Sequence, residues 1–195
     1  MELKEAIYGR RSVRKYDGRP ISEEDIREIL EAGIMAPNAS NYQPWYFVAI
    51  ANQDKLQEVK EIMEKTSEIL TPSLTARFEK HPQVVAETKQ FIRLMGNAPC
   101  CILAFLLKDD AEYERKELEF VESVAAAIEN MLLTAYSKDI KSCWLTGPLE
   151  AKMDAVLREK FAPDKGKMIA MITLGYSDQE PKAPRRREGR YDIIL

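Results

Sequence analysis

Two arginine clusters are the groups in this chain best suited to hold a ligand. Arg10, Arg11 and Arg14, with Lys15, lie near the start, and Arg185, Arg186 and Arg187 lie near the end. A guanidinium stays charged and presents its N–H groups as a planar fork that matches two phosphate oxygens. Two converging clusters therefore suit a phosphorylated small ligand better than a diffuse polymer. Charge alone also allows the plainer reading, in which both clusters are solvated surface. Groups that could act on a substrate are scarce. The sole histidine, His81, sits in Phe78-Glu79-Lys80-His81-Pro82, which reads as an exposed helix break and not as part of a Ser-His-Asp triad. Cys143, in Ser142-Cys143-Trp144-Leu145, has no histidine or cation beside it in sequence to lower its pKa, so it reads as a small core residue. With one histidine and no CxxC pair, a catalytic zinc is poorly supplied, and no metal site is expected. The eight glycines form neither GxGxxG nor a Walker loop. An enzyme this short of acids, bases and nucleophiles works most simply through a bound organic cofactor that carries the reaction.

The groups named above need elements to hold them. Leu3, Ala6 and Ile7 share a helical face, so a short helix leads into the basic, extended turn from Arg10 to Tyr16. Ser22 and Asp25 have capping-box spacing, and Ile26, Ile29, Leu30 and Ile34 form an apolar helical stripe that Gly33 and Pro37 bring to an end. The run Ala36-Pro37-Asn38-Ala39-Ser40-Asn41-Tyr42-Gln43-Pro44 is rich in turn-forming types and predicts a loop that feeds a buried strand from Trp45 to Ile50. Asn52 can cap a helix through Leu56, Val59, Ile62 and Met63, with a second helical region after Pro72. Residues 66–97 carry no sharper assignment.

Cys100 to Leu107 is an unbroken apolar run, which fits a strand buried on both faces in mid-sheet. Val121, Val124, Ala125, Ile128, Met131, Leu132 and Ala135 recur at three and four, predicting one long helix from Glu112 to Lys138. Ile140 to Leu145 and Met168 to Leu174 add strands on either side of a helix near residues 150–160, for at least four strands. The polar tail after Gly175 ends on Ile193-Ile194-Leu195, an apolar terminus that a second subunit would cover.

At 195 residues, 45% hydrophobic, the chain is long enough for one domain with a real core, spanning 1–195. A net charge of −3 gives no general attraction to nucleic acid or anionic membrane. Three cysteines suit a reducing compartment, and neither a signal peptide nor a membrane-length apolar run is evident, so the cytoplasm is the expected location.

Taken in chain order, Arg10-Arg11-Ser12-Val13-Arg14 after a helix, Pro37-Asn38-Ala39-Ser40-Asn41-Tyr42-Gln43-Pro44-Trp45 before a strand, and a closing arginine run resemble the nitroreductase family of FMN-dependent oxidoreductases. The resemblance spans nearly the whole chain. It implies an α+β sandwich with a mixed central sheet flanked by helices, built as an intertwined homodimer with two FMN molecules at the interface. On this likeness Arg10, Arg11, Ser12 and Arg14 would contact the FMN phosphate, ribityl chain and pyrimidine edge, with Arg185 and Arg187 closing on the phosphate. Pro37, Asn38, Ala39, Ser40 and Asn41 would approach the same flavin from the partner subunit, Gln43 offering an amide. Leu145, Thr146 and Gly147 would turn backbone donors toward its reactive edge. Trp45, Phe78, Phe91 and Leu106 read as core or pocket wall.

The implied activity is ping-pong hydride transfer from NADH or NADPH, through FMN, to a nitroaromatic, quinone or similar flat acceptor. Other readings are a flavin-binding or redox-sensing protein without NAD(P)H turnover, and a specialised relative such as a reductive dehalogenase or flavin-modifying enzyme. A nucleic-acid or partner-binding module using the arginines is disfavoured by the acidic total.

Overall fold

The computed structural model describes residues 1–195. Four strands form one sheet in the order β1-β2-β4-β3: β1 (Trp45–Ile50), β2 (Cys100–Leu106), β3 (Lys141–Leu145) and β4 (Met168–Gly175). The apolar strand β2 is buried along its whole length, because it lies between β1 and β4 and is covered on both faces. Its alternating side chains serve two cores. Ile102, Ala104 and Leu106 join one, and Cys101, Leu103 and Phe105 join the other. The sheet expected to be mixed is antiparallel across all three strand pairs, and its parallel character is confined to a single bridge between Ser12 and Ser142. That bridge lays the basic turn along the edge strand β3.

The helices are α1 (Leu3–Gly9), α2 (Glu23–Ile34), α3 (Gln53–Arg77), α4 (Pro82–Leu94), α5 (Ala111–Arg115), α6 (Glu117–Ser137), α7 (Gly147–Glu150) and α8 (Asp154–Phe161). α2 and α6 cover one face of the sheet, and α3, α4 and α8 cover the other. The two anticipated N-caps are formed: Ser22 Oγ accepts the Asp25 N–H at 3.0 Å, and Asn52 Oδ1 accepts the Lys55 N–H at 3.0 Å.

Three boundaries differ from the sequence expectation, each for a tertiary reason. Gly33 does not end α2. It lies inside the helix, where a Cβ would collide with the Met131 side chain of α6, so glycine lets the two helices approach. The single helix expected over 112–138 is broken at Lys116, where φ −108 and ψ 21 leave the helical region. The α3 helix runs through Pro72 to Arg77, because Pro72 faces solvent and the carbonyl it leaves without a donor can be hydrated.

Of the three apolar residues of α1, only Ala6 is buried, while Leu3 and Ile7 remain exposed. Ile34, Met35, Ile193, Ile194 and Leu195 are likewise exposed, so a substantial apolar surface lies on the outside of the single chain.

Candidate functional site

The basic turn is held from below by Tyr16. This buried side chain donates its hydroxyl to the Val13 carbonyl at 2.8 Å and meets Thr173 Oγ1 at 2.9 Å. Burial pushes the phenol pKa far up, against the lowering effect of the Thr173 hydrogen bond, so the group stays protonated and acts as a fixed donor. Beside it, Met95, Gly96 and Asn97 all take left-handed backbone conformations, and the Gly96 carbonyl accepts the Tyr16 N–H at 2.8 Å. On the other edge the Val13 N–H donates to the Ser142 carbonyl at 2.9 Å. From the tail, Gln179 Oε1 accepts the Arg14 N–H at 3.1 Å, and Ser177 Oγ donates to the Lys15 carbonyl at 2.6 Å. Tyr16 and Gly96 were not anticipated as site-building residues. The Gly-Asn pair carries a turn signal, but only the fold places it against Arg14.

Above this turn lies a groove of about 1160 Å³. Ser12, Arg14, Leu145, Thr146 and Gly147 line its floor, and α3 and α4 roof it with Leu70, Leu74 and Phe91. Residues expected from two separate motifs, Ser12 and Arg14 from one and Leu145, Thr146 and Gly147 from the other, thus meet in one cavity. The Arg14 guanidinium lies 5.9 Å from the Phe91 ring centroid. Arg10 and Arg11 follow α1 and precede Ser12 but are not among the residues that line the groove, and Arg11 Nη1 donates to the Arg10 carbonyl at 2.6 Å. Arg10 Nε is buried and has no hydrogen-bond acceptor, its nearest counter-charge being Glu129 Oε1 at 3.5 Å. The Glu129 carboxylate balances its charge without a well-formed hydrogen bond, so this N–H would gain from a closer anionic acceptor. Cys143 lies beneath the turn as a buried residue. Burial pushes its thiol up, opposed by Arg14, the Ser12 hydroxyl and Arg10, and a protonated thiol makes a poor nucleophile.

The remaining expected residues lie elsewhere in the chain. Ala39 and Tyr42 of the 37–43 loop pack against the core on the α2–α6 face, opposite the groove, so the loop does not reach the groove of its own subunit. Within it Ser40, Asn41 and Gln43 all have positive φ, and Asn38 Oδ1 accepts the Gln43 N–H at 2.9 Å. Pro37, Ser40, Asn41 and Gln43 are exposed. Arg185 and Arg187 stand in the exposed tail, Arg185 pairing with Glu188 at 3.4 Å, and neither is among the residues that line the groove.

Removing the Tyr16 hydroxyl tests how the turn is held. Tyr16→Phe should lower unfolding free energy by about 1–2 kcal/mol, because it leaves the Val13 carbonyl without a donor and the Thr173 hydroxyl without its acceptor. Urea unfolding would read it, and an unchanged midpoint would contradict the assignment.

A sequence model of the Nitroreductase family matches residues 7–176. The chain belongs to that family. As a nitroreductase-family member it is 31% identical over 180 residues to a protein of Archaeoglobus fulgidus provisionally named NADH dehydrogenase/NAD(P)H nitroreductase, covering 92% of this chain and 87% of that one. Among solved structures it resembles a BluB-like flavoprotein from Clostridium difficile 630, with 27% identity, a TM-score of 0.75 and full coverage of both chains. It also resembles a nitroreductase with bound FMN from Bacteroides fragilis NCTC 9343, at 27% identity, a TM-score of 0.71 and full coverage of both chains. The nitroreductase match includes the basic turn and Leu145 to Gly147 but stops before Arg185 to Arg187.

Proposed function

We propose that this nitroreductase-family protein is an FMN-dependent oxidoreductase that takes a hydride from NADH or NADPH and reduces a nitroaromatic, quinone or similar flat acceptor. The observation that carries the reading is the groove floored by Ser12, Arg14 and the 145–147 turn, with Arg10 and Arg11 directly before Ser12 in the same basic turn. The donor set fits FMN: guanidiniums and a hydroxyl for a phosphate and polar chain at one end, and an apolar roof for a ring at the other. FMN, when bound, supplies the two-electron carrier that no side chain of this chain could replace.

The protein's own contribution is to bind, orient and shield. Arg10, Arg11, Ser12 and Arg14 would grip the phosphorylated chain, with Arg185 and Arg187 of the tail closing over it. Thr146 and Gly147 would direct backbone N–H groups at the ring edge where negative charge accumulates, which favours electron uptake. Leu70, Leu74 and Phe91 would exclude water from the ring face. The one groove would serve donor and acceptor in turn, in a ping-pong order.

The exposed apolar surface formed by α1, Met35 and Ile193 to Leu195 supports a homodimer in which the 37–43 loop reaches the partner's groove. No helix is long and apolar enough to cross a membrane, and three buried free cysteines suit the cytoplasm.

The visible spectrum of the purified protein, recorded without oxygen before and after adding NADH or NADPH, tests the proposal. Flavin absorbance that bleaches on addition is expected and names the donor. Bound flavin that stays oxidised would instead mark a flavoprotein without nicotinamide turnover. A colourless protein that cannot be reconstituted with FMN would overturn the reading.

A further inference from the structure

Tyr42 sits between Asn41 and Gln43, yet it turns inward while both neighbours are exposed. Its ring packs on Phe120 with centroids 5.1 Å apart. Its hydroxyl donates to Glu112 Oε1 at 2.6 Å and accepts from Lys116 Nζ at 2.8 Å. Lys116 Nζ also lies 4.0 Å from the Tyr42 ring centroid and 3.9 Å from Glu112 Oε1. Lys116 is the residue at which α5 gives way to α6, so this clamp fastens the loop to the helix break. A second anchor lies three residues earlier. The Ala39 N–H donates to Ser123 Oγ at 3.2 Å, and that hydroxyl in turn donates to the Glu119 carbonyl at 2.7 Å.

The loop needs such anchoring. Ser40, Asn41 and Gln43 hold φ of 47, 56 and 47, a region that side chains other than glycine enter at a cost and keep only when their surroundings over-determine it. Few internal bonds do this. Asn38 Oδ1 accepts from the Gln43 N–H, and Gln43 Nε2 donates to Asn41 Oδ1 at 3.2 Å. The ties to α5 and α6 supply the rest.

We propose that Tyr42, held by Lys116 and Glu112, is a positioning residue for the flavin: it sets the height at which residues 38–41 meet FMN bound by the partner subunit. This rests on the reading above of an FMN enzyme whose loop faces the partner's groove. Hydrogen bonds weaken steeply with distance and angle, so a loop free to relax by a fraction of an ångström would still fold but would hold the ring poorly. Without the phenol, Lys116 and Glu112 can pair directly, so the helices keep their charge balance.

FMN titration of the flavin-free, full-length protein, with visible-region circular dichroism of the bound flavin, tests this. Tyr42→Phe and Lys116→Met are each expected to raise the FMN dissociation constant about tenfold, as loss of one hydrogen bond between the loop and the ring would. Each should also change the visible dichroism, which reports the asymmetry of the ring's surroundings. The double variant should be no worse than either single one, and Lys116→Arg should recover most of the affinity. Ser123→Ala, at the other anchor, should move both readouts in the same direction while the thermal midpoint of the flavin-free protein stays within a few degrees. Wild-type affinity and dichroism in both Tyr42→Phe and Lys116→Met would overturn the proposal. If Arg10→Ala loses flavin in the same assay while those two variants do not, the positioning role alone fails. If the wild-type protein takes up no FMN, the underlying reading fails with it.

Discussion

Replacing Arg10 with alanine is expected to raise the FMN dissociation constant by about 1.5–3 kcal/mol, on the order of ten- to a hundredfold, while barely changing the stability of the flavin-free protein. The two halves of that expectation come from one atom. Arg10 Nε is buried without an acceptor, so in the flavin-free chain it contributes an unpaired donor and a 3.5 Å approach to Glu129, whose side chain is 48% exposed and can be hydrated instead. When a phosphate is present, the same donor gains a charged partner. Fluorescence titration with FMN, paired with thermal unfolding of the flavin-free protein, reads both. A variant that keeps wild-type FMN affinity would remove Arg10 from the site.

Arg187→Ala is the informative companion to this variant. Arg187 lies in an exposed tail beyond the residues that match the family. If the tail closes over the phosphate, this variant too loses affinity by a similar amount. If affinity is unchanged, the closing arginine run is solvated surface and the phosphate is held by the basic turn alone.

Gly96→Ala should have a large effect on the fold itself. Gly96 has φ 62, and a Cβ there would run into the Arg14 carbonyl oxygen, a backbone atom that cannot swing away. The left-handed conformation alone costs a residue with a side chain about 1–2 kcal/mol. Moving the turn would add the loss of the Gly96-to-Tyr16 hydrogen bond, so a total near 2–4 kcal/mol is expected from chemical unfolding, on the order of the severe single substitutions. Flavin should be lost in the same variant, because Arg14 must shift.

Gly147→Ala provides the contrast. A Cβ at that position meets Leu70 Cδ1 at 3.5 Å, an ordinary contact, and the backbone is not left-handed. That variant should fold normally, and any loss of FMN it shows reports on the ring-contacting turn itself. Normal stability in Gly96→Ala would mean that the turn is not held as described.

Several features of this protein follow from the sequence alone, because the forces that produce them are local. An unbroken apolar run can be buried on both faces only in mid-sheet, and β2 lies there. Ser22 and Asn52 each accept an N–H three residues on, so two helix starts could be read directly. The arginine turn and the Pro37 to Trp45 run also carried the family identity in chain order.

What the sequence left open are matters of contact between distant segments. No glycine or proline lies between Glu112 and Val121, and nothing local announces that the helix breaks at Lys116, which meets the hydroxyl of Tyr42, 74 residues away in the chain. Gly33 carries the composition of a helix stop, yet it is a notch for Met131. Most of all, a row of arginines has the same charge wherever it lies. Arg10 and Arg14 become a candidate anion site only because an edge pairing to Ser142, a buried tyrosine and a left-handed glycine hold their turn against the 145–147 segment, while Arg185 and Arg187 stay in an exposed tail. Burial and backbone approach are properties of the packed chain, and they decided which of the charged groups has a donor waiting for a partner.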